Sequence, residues 1–200
     1  MENLCLIVGL GNPGATYAAT RHNVGFLATD KLANSWSAGW SSEKKFAARI
    51  ARAVRAGRSV ALCQPQTFMN SSGEAVAKVA AFFNVEPGRI LIVVDDADLP
   101  LGELRLRPGG GAGGHHGLES IEQSLGTKDY PRLRIGIGRT EGAREITGHV
   151  LGRFGSEELD ALKKVLTAVG GQAETWLEAG IQKAMNQFNG VVAGLNEGTK

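Results

Sequence analysis

The chain has 200 residues, 42% of them hydrophobic and 21% charged, with a formal net charge of +2. That length suits one domain with a full core. The charge balance is too even to mark the whole molecule as a nucleic-acid binder, and no apolar run approaches the ~20 residues that a membrane-spanning helix needs.

The charges are nevertheless unevenly placed. Arg105, Arg107, Arg132, Arg134, Arg139 and Arg144 fall in one region, while Glu157, Glu158, Asp160, Glu174 and Glu178 lie towards the end. A local basic patch of this kind suits a polyanion. Cys5 and Cys63 sit in apolar, strand-like runs and read as reduced core thiols. With no secretory leader pattern at the start, the expectation is a cytoplasmic protein in a reducing compartment.

Leu4 to Val8 is a short apolar run ending at Gly9, the pattern of a buried strand. Gly9, Gly11 and Gly14 then have the spacing of a dinucleotide fingerprint. That reading needs a helix at once and an acidic residue on a second strand about 20 positions on. Instead Pro13 and a polar stretch through Asn23 intervene, and Asp30 falls inside a helical pattern running from Val24 to Trp36. Glu43 to Gln64 reads as a hairpin turning at Arg55-Ala-Gly-Arg58. The stretch from Pro65 leads into a helix with Val76, Val79, Ala80 and Phe83 on one face, and Ser71 with Glu74 has capping-box spacing. Asn70, just before that helix, is placed to aim an amide into a cleft.

Ile90 to Val94 is a second buried-strand run, ending in Asp95, Asp96 and Asp98. Strand ends of this kind are where open α/β sheets keep their chemistry. Three carboxylates offer ligands for Mg²⁺, although the turn at Asp98-Leu-Pro-Leu-Gly gives Asp98 a plainer role. Asp95, nearest the strand, is expected to meet another side chain. Alternation next puts Arg105 and Arg107 on one face of a strand, and Arg132 and Arg134 outward on another, with Leu133, Ile135 and Ile137 inward. Between them, glycines from Gly109 to Gly114 lead to a helix through Leu118, Ile121 and Leu125. Basic strands, an amide-rich loop and a helix N-terminus together make an anion site, with phosphate as the expected anion. From Ser156 onward the pattern is helical, with Gly170-Gly171 expected to break or kink it. Whether the tail after Phe188 is ordered stays open on the sequence.

His115 and His116 are adjacent, so their side chains point apart, and no His/Cys spacing of zinc type exists. His22 lies in the polar loop after the first strand. If the first strand and the Asp95 strand are neighbours, Asp95 fixes the His22 tautomer and leaves the other ring nitrogen to take a proton from water. With no convincing nucleophilic Ser or Cys, a His–Asp pair activating water is the simplest hydrolytic design. Asn12 and Asn70 offer hydrogen bonds to a substrate carbonyl or its oxyanion.

These residues lie in stretches that resemble the bacterial-type peptidyl-tRNA hydrolase family: residues 9–26 (GLGNPGATYAATRHNVGF), 65–73 (PQTFMNSSG), 95–102 (DDADLPLG), 109–118 (GGGAGGHHGL), 132–138 (RLRIGIG) and 150–154 (VLGRF). The resemblance implies a single α/β domain over residues 1–200, a twisted mixed sheet flanked by helices. It implies a monomer that hydrolyses the ester between a peptidyl group and the tRNA 3′ end, recycling tRNA from prematurely released peptidyl-tRNA without metal or other cofactor. By likeness, His22 is the general base and Asp95 its partner. Asn12 and Asn70 place the substrate, Tyr17 and Met69 line the site, and Arg107 and Arg134 clamp a tRNA phosphate, with Arg105 and Arg132 as same-face neighbours. The family usually has Asn where this chain has His116, which is read here as a substrate-binding residue. Two other readings stay open on the sequence: an RNA-binding relative that does not catalyse, and a nucleotide-dependent oxidoreductase built on the first glycines.

Overall fold

The computed structural model describes residues 4–138 and 146–195. Arg139 and Arg144 lie outside the described residues. Among the described residues, eight strands form one mixed sheet: β1 (Cys5–Gly9), β2 (Trp40–Glu43), β3 (Ala48–Arg55), β4 (Arg58–Pro65), β5 (Ile90–Asp96), β6 (Glu103–Arg107), β7 (Arg132–Gly136) and β8 (Gly190–Val191), in spatial order β2-β3-β4-β1-β5-β7-β6-β8. The four central strands β4, β1, β5 and β7 run parallel, and antiparallel strands extend the sheet on both sides. The carboxyl ends of the parallel strands therefore open on one edge, and β1 lies beside β5 as a His22–Asp95 meeting requires.

Alternation along the strands divides the core into two layers. Cys5 and Ile7 of β1 face α1 (Val24–Ser35) and the long α5 (Leu159–Ala179), while Leu6 and Val8 face α2 (Ser72–Phe83) and α3 (His116–Leu125). Two short helices complete the described chain, α4 (Ile146–Val150) and α6 (Ile181–Phe188). No helix among the described residues is long and apolar enough to cross a membrane.

The β3–β4 hairpin turns at Ala56 and Gly57, whose φ values of 49° and 69° match a type I′ turn. The first glycines serve close packing: a Cβ on Gly9 would lie 2.1 Å from the Gly25 carbonyl oxygen, and one on Gly11 would lie 2.8 Å from the Phe26 ring. The helix α1 starts only at Val24, so the loop after β1 presents no helix N-terminus to a pyrophosphate, contrary to the dinucleotide reading.

Two local expectations are corrected. Ser71 makes no side-chain cap on α2; a 3-10 turn over Met69–Ser71 leads into that helix, and Gly73 N–H donates instead to Ser120 Oγ of α3. Gly170-Gly171 does not break α5, which is continuous; the bare Gly171 lets the Phe188 ring approach where a Cβ would stand 2.9 Å away. The turn falls at Gly180, with φ of 84°. Beyond Phe188 the chain continues in β8, paired with β6. Asn189 supports this pairing: its Oδ1 accepts from Leu106 N–H and its Nδ2 donates to Leu106 O, as a strand residue's backbone would.

Candidate active site

Asp95 sits at the end of β5, 4% exposed, and accepts from two histidines. His22 Nδ1 lies 2.9 Å from its Oδ2 and 3.0 Å from its Oδ1, and His115 Nε2 lies 3.0 Å from Oδ1. The second partner was missed in the sequence. The His115 tautomer follows from its surroundings: its Nδ1 faces the N–H groups of Gly117 and Leu118, which can only donate. Nδ1 is therefore an acceptor, and Nε2 carries the proton given to Asp95. Burial works to raise the Asp95 pKa, but the charge and hydrogen bond of His115, with those of His22, prevail and hold the carboxyl well below the usual range.

The two histidine rings stand 5.1 Å apart at 45°. With Nδ1 on Asp95, His22 Nε2 has no hydrogen-bond partner among the described residues. His115 has no such free nitrogen, since both of its nitrogens are engaged. The ligand atoms of His22, Asp95 and His115 lie within 4.8 Å of one another, close enough for a metal site. The donor set does not fit one: ligation by His115 Nε2 would transfer the ring proton to Nδ1, against two backbone N–H groups.

His22 is aimed by its neighbours. Arg21 makes a two-armed ion pair with Glu158 at 2.9 and 2.6 Å and donates to the Ile137 carbonyl, tying this loop to the chain just after β7 and to the start of α5. Arg21 N–H donates to Gly152 O, and Thr20 bridges Arg153. Asn23, 1% exposed, clasps the Asn12 backbone with both ends of its amide at 2.9 Å. The Asn12 Oδ1 in turn accepts from Met69 N–H at 2.8 Å. The amide orientation is thereby set, and Nδ2 is the group Asn12 has left to offer a ligand.

A cavity of about 420 Å³ opens over this cluster, lined by Asn12, His22, Asp95, His115, His116 and Arg134 among others. Of the other expected residues, Met69 is buried beneath it, with its Sδ where a Gly117 Cβ would fall. Asn70 is exposed on the 3-10 turn, Tyr17 is half-buried, and Arg107 is exposed on β6. None of these four lines the cavity. His116 is exposed at the start of α3 and pairs with Glu119 at 3.0 Å.

The basic strands behave differently from expectation. Arg132 is not outward in solvent: it is 1% exposed, donates to the Gly111 and Lys128 carbonyls, and contacts Glu122 at 3.4 Å. The glycine loop folds across this face of β7 and makes it interior. Arg134 is partly covered, bonded to Asp96 at 3.1 Å and to the Gly111 and Ala112 carbonyls. Arg107 has no partner among the described residues. The α3 N-terminus is closed by His115, so it does not present all its N–H groups to an anion. Neither thiol is poised to attack: burial raises the pKa of Cys5 and takes that of Cys63 up to about 12.

Residues 6–196 match the family model described as peptidyl-tRNA hydrolase. A peptidyl-tRNA hydrolase of Synechococcus sp. (strain JA-3-3Ab) is 47% identical over 93% of this chain and 83% of its own length. One from Synechocystis sp. (strain ATCC 27184 / PCC 6803 / Kazusa) is 45% identical over 92% and 95%. The crystal structure of peptidyl-tRNA hydrolase from Acinetobacter baumannii superposes with a TM-score of 0.89 at 38% identity, covering 96% of this chain and 97% of that one.

Proposed function

The chain belongs to the peptidyl-tRNA hydrolase family and is a hydrolase acting on the ester bond of peptidyl-tRNA, and we propose that His22 is its general base. The observation that carries this assignment is the contact of His22 Nδ1 with a buried, ionised Asp95, which leaves Nε2 basic at the cavity. Nε2 takes a proton from water as the water oxygen attacks the ester carbonyl, and the carboxylate stabilises the imidazolium that forms. The same proton is then available to the departing ribose oxygen. Asn12 Nδ2 donates to the carbonyl oxygen as charge builds there. His116 lies at the rim of the cavity; with Asn70, Tyr17 and Met69, which stand outside its walls, it makes up the substrate-binding set that the resemblance implies.

Arg107, exposed and unpaired among the described residues, contacts a tRNA phosphate. Arg134 helps by holding the glycine loop in place and by its remaining exposed edge. The protein acts as a cytoplasmic monomer that returns tRNA from prematurely released peptidyl-tRNA. No step needs a metal or an organic cofactor.

The test is release of N-acetylated amino acids from tRNA by the wild-type protein and His22→Ala, with unblocked aminoacyl-tRNA as control. Loss of a general base lowers turnover by about 10² to 10⁴. Full turnover in His22→Ala would assign the base elsewhere, while tRNA binding without hydrolysis by the intact protein would make this a binding relative.

A further inference from the structure

β2 closes the sheet at the end away from β7 and β6, and β3, β4 and β1 separate it from Asp95 on β5. A cavity of about 380 Å³ lies there. Its floor is one face of the sheet, made by Gly39, the alternate β2 residues Ser41 and Glu43, and Ile50 and Arg52 of β3. Phe82 and Phe83 at the end of α2, with Phe46 from the turn after β2, form its wall. Phe82 is 58% exposed, and Val54, next on this face of β3, is 72% exposed. The space over Gly39 is open, since a Cβ there would meet nothing within 4 Å.

Two cations lie on the aromatic wall. Lys45 Nζ stands 3.8 Å from the centre of the Phe82 ring and 4.7 Å from that of Phe46, and the Arg52 guanidinium lies 4.9 Å over Phe83. These contacts use the ring faces and leave the N–H groups of both cations without a hydrogen-bond or ion-pair partner among the described residues. Glu43, the acid of this cavity, accepts from Ser41 Oγ at 3.1 Å and bridges to neither cation. Cations laid on rings with no counter-charge beside them favour an incoming anion.

The strand supplies a second means of recognition. β2 pairs only with β3, and Trp40–Glu43 make no further backbone hydrogen bond among the described residues. The N–H and C=O groups of its outer edge are therefore open to another strand. On the opposite face of the sheet, the Arg49 guanidinium lies 5.0 Å over the Trp40 ring and is occupied there. An added strand would turn every second side chain into the cavity, towards Phe82, Lys45 and Arg52. We propose that this edge and cavity bind an extended acidic segment of a partner protein. Its backbone pairs with β2, and its cavity-facing side chains are carboxylates flanking an apolar residue. A second copy of β2 is a poor occupant, because Lys44, Lys45 and Arg52 would meet the same excess of positive charge. RNA suits the cations but not the row of backbone groups, and Glu43 opposes its phosphates. The proposal stands apart from the hydrolase reading, since none of these residues lines the catalytic cavity.

The experiment titrates the full chain with acetyl-Thr-Glu-Thr-Leu-Thr-Glu-Thr-amide, which as a strand puts Glu, Leu and Glu on one face. The controls are acetyl-Glu-Glu-Thr-Thr-Leu-Thr-Thr-amide, of the same composition without the alternation, and hexauridylate as single-stranded RNA. Amide NMR shifts read affinity, and hydrogen exchange reads the strand edge. The alternating peptide is expected to bind saturably, at least about fivefold tighter than either control, and to slow exchange within Trp40–Glu43. Lys45→Gln and Arg52→Gln are each expected to weaken it about three- to fivefold, the scale of a partly exposed ion pair, while hydrolysis of N-acetyl-aminoacyl-tRNA stays within about twofold of wild type and certifies the fold. Equal binding of the two peptides, no added protection in β2, unchanged affinity in both variants or tighter binding of hexauridylate would each overturn the proposal. All four outcomes leave the hydrolase reading standing.

Discussion

His115 holds Asp95 with one ring nitrogen, 3.0 Å from Oδ1, while its other nitrogen accepts the Gly117 and Leu118 N–H groups at the head of α3. The start of a helix therefore fixes the proton on a histidine, and that proton holds the carboxylate that orients His22. Removing His115 leaves Asp95 with one partner. His115→Ala is expected to lower kcat by about tenfold, the scale of one charge-assisted hydrogen bond, with KM nearly unchanged. Losing the cap should also cost about 1 kcal/mol in stability. Denaturant titration beside steady-state kinetics separates the two effects, and a change confined to stability would leave His115 a structural cap only.

Asp95→Asn changes the logic of His22 rather than its place. An amide nitrogen facing Nδ1 would favour an acceptor there and move the ring proton to Nε2, removing the base. Turnover should fall by about 10³ to 10⁴, the order seen when the same substitution reverses a histidine tautomer in a serine protease triad. Retention of more than a tenth of wild-type kcat would mean that Asp95 does not set the tautomer.

Glu158 supplies a pH-dependent tie between α5 and the His22 loop. The Arg21 hydrogen bond lowers its pKa against burial, helped by the Gly155 N–H and the Arg21 charge. A carboxyl lowered in the folded state contributes stability that is fully present above its unfolded value, ordinarily 4.5, and lost as pH falls through the folded one. Urea midpoints measured downward from pH 6 should therefore drop in wild type. Glu158→Gln should be less stable near neutrality by about 1 kcal/mol, given its partial exposure, and should converge on wild type in acid. Parallel curves with an undiminished gap would show that the Arg21–Glu158 charge pair is not the source.

The two arginine pairs separate what a sequence can say from what it cannot. Alternation places Arg105, Arg107, Arg132 and Arg134 opposite Leu104, Leu106, Leu133 and Ile135, and those leucines and isoleucine do share the α1–α5 core. Whether an arginine on the other face meets water depends on the glycine loop crossing it, a tertiary event with no local period. The same limit hid His115: its neighbour relation to Asp95 spans 20 residues, whereas His22 stood out by its polar loop. Ser71 shows the opposite error, since a cap spacing was present but a turn over Met69–Ser71 and Ser120 of the adjacent helix took over the work. The parallel β1–β5 core was legible because continuous apolar runs need burial on both faces.

Arg107 and Arg132 are register partners on β6 and β7 with opposite expected phenotypes. Arg107→Ala should leave stability unchanged, weaken tRNA binding, and reduce the slope of log affinity against log salt by about 1. Arg132→Ala strips the Gly111 and Lys128 carbonyls and Glu122 of a buried donor, and should destabilise the fold by about 3 kcal/mol. Chemical denaturation and salt-dependent binding on both variants decide the matter. An unchanged salt slope in Arg107→Ala would move the phosphate site elsewhere.

Gly117 links packing to chemistry most directly. A Cβ there would meet Met69 Sδ at 2.6 Å, Leu10 Cδ1 at 2.9 Å and His115 Cε1 at 3.0 Å. Alanine is the better helix former, and although Gly117 is only the second residue of α3, helix propensity alone favours alanine slightly. The neighbours oppose this. Met69 can swing its thioether away at modest cost, but Leu10 is fully buried and the His115 ring is held on both nitrogens. The methyl group should therefore displace the ring from Asp95. Gly117→Ala is expected to lose kcat by about tenfold, approaching His115→Ala, because both weaken the same contact. The double variant should then be little worse than either single one, as residues acting through one contact are not additive. Additive losses in that cycle would place the Gly117 effect on a separate path, through Met69 and the Asn12 amide that bonds its backbone.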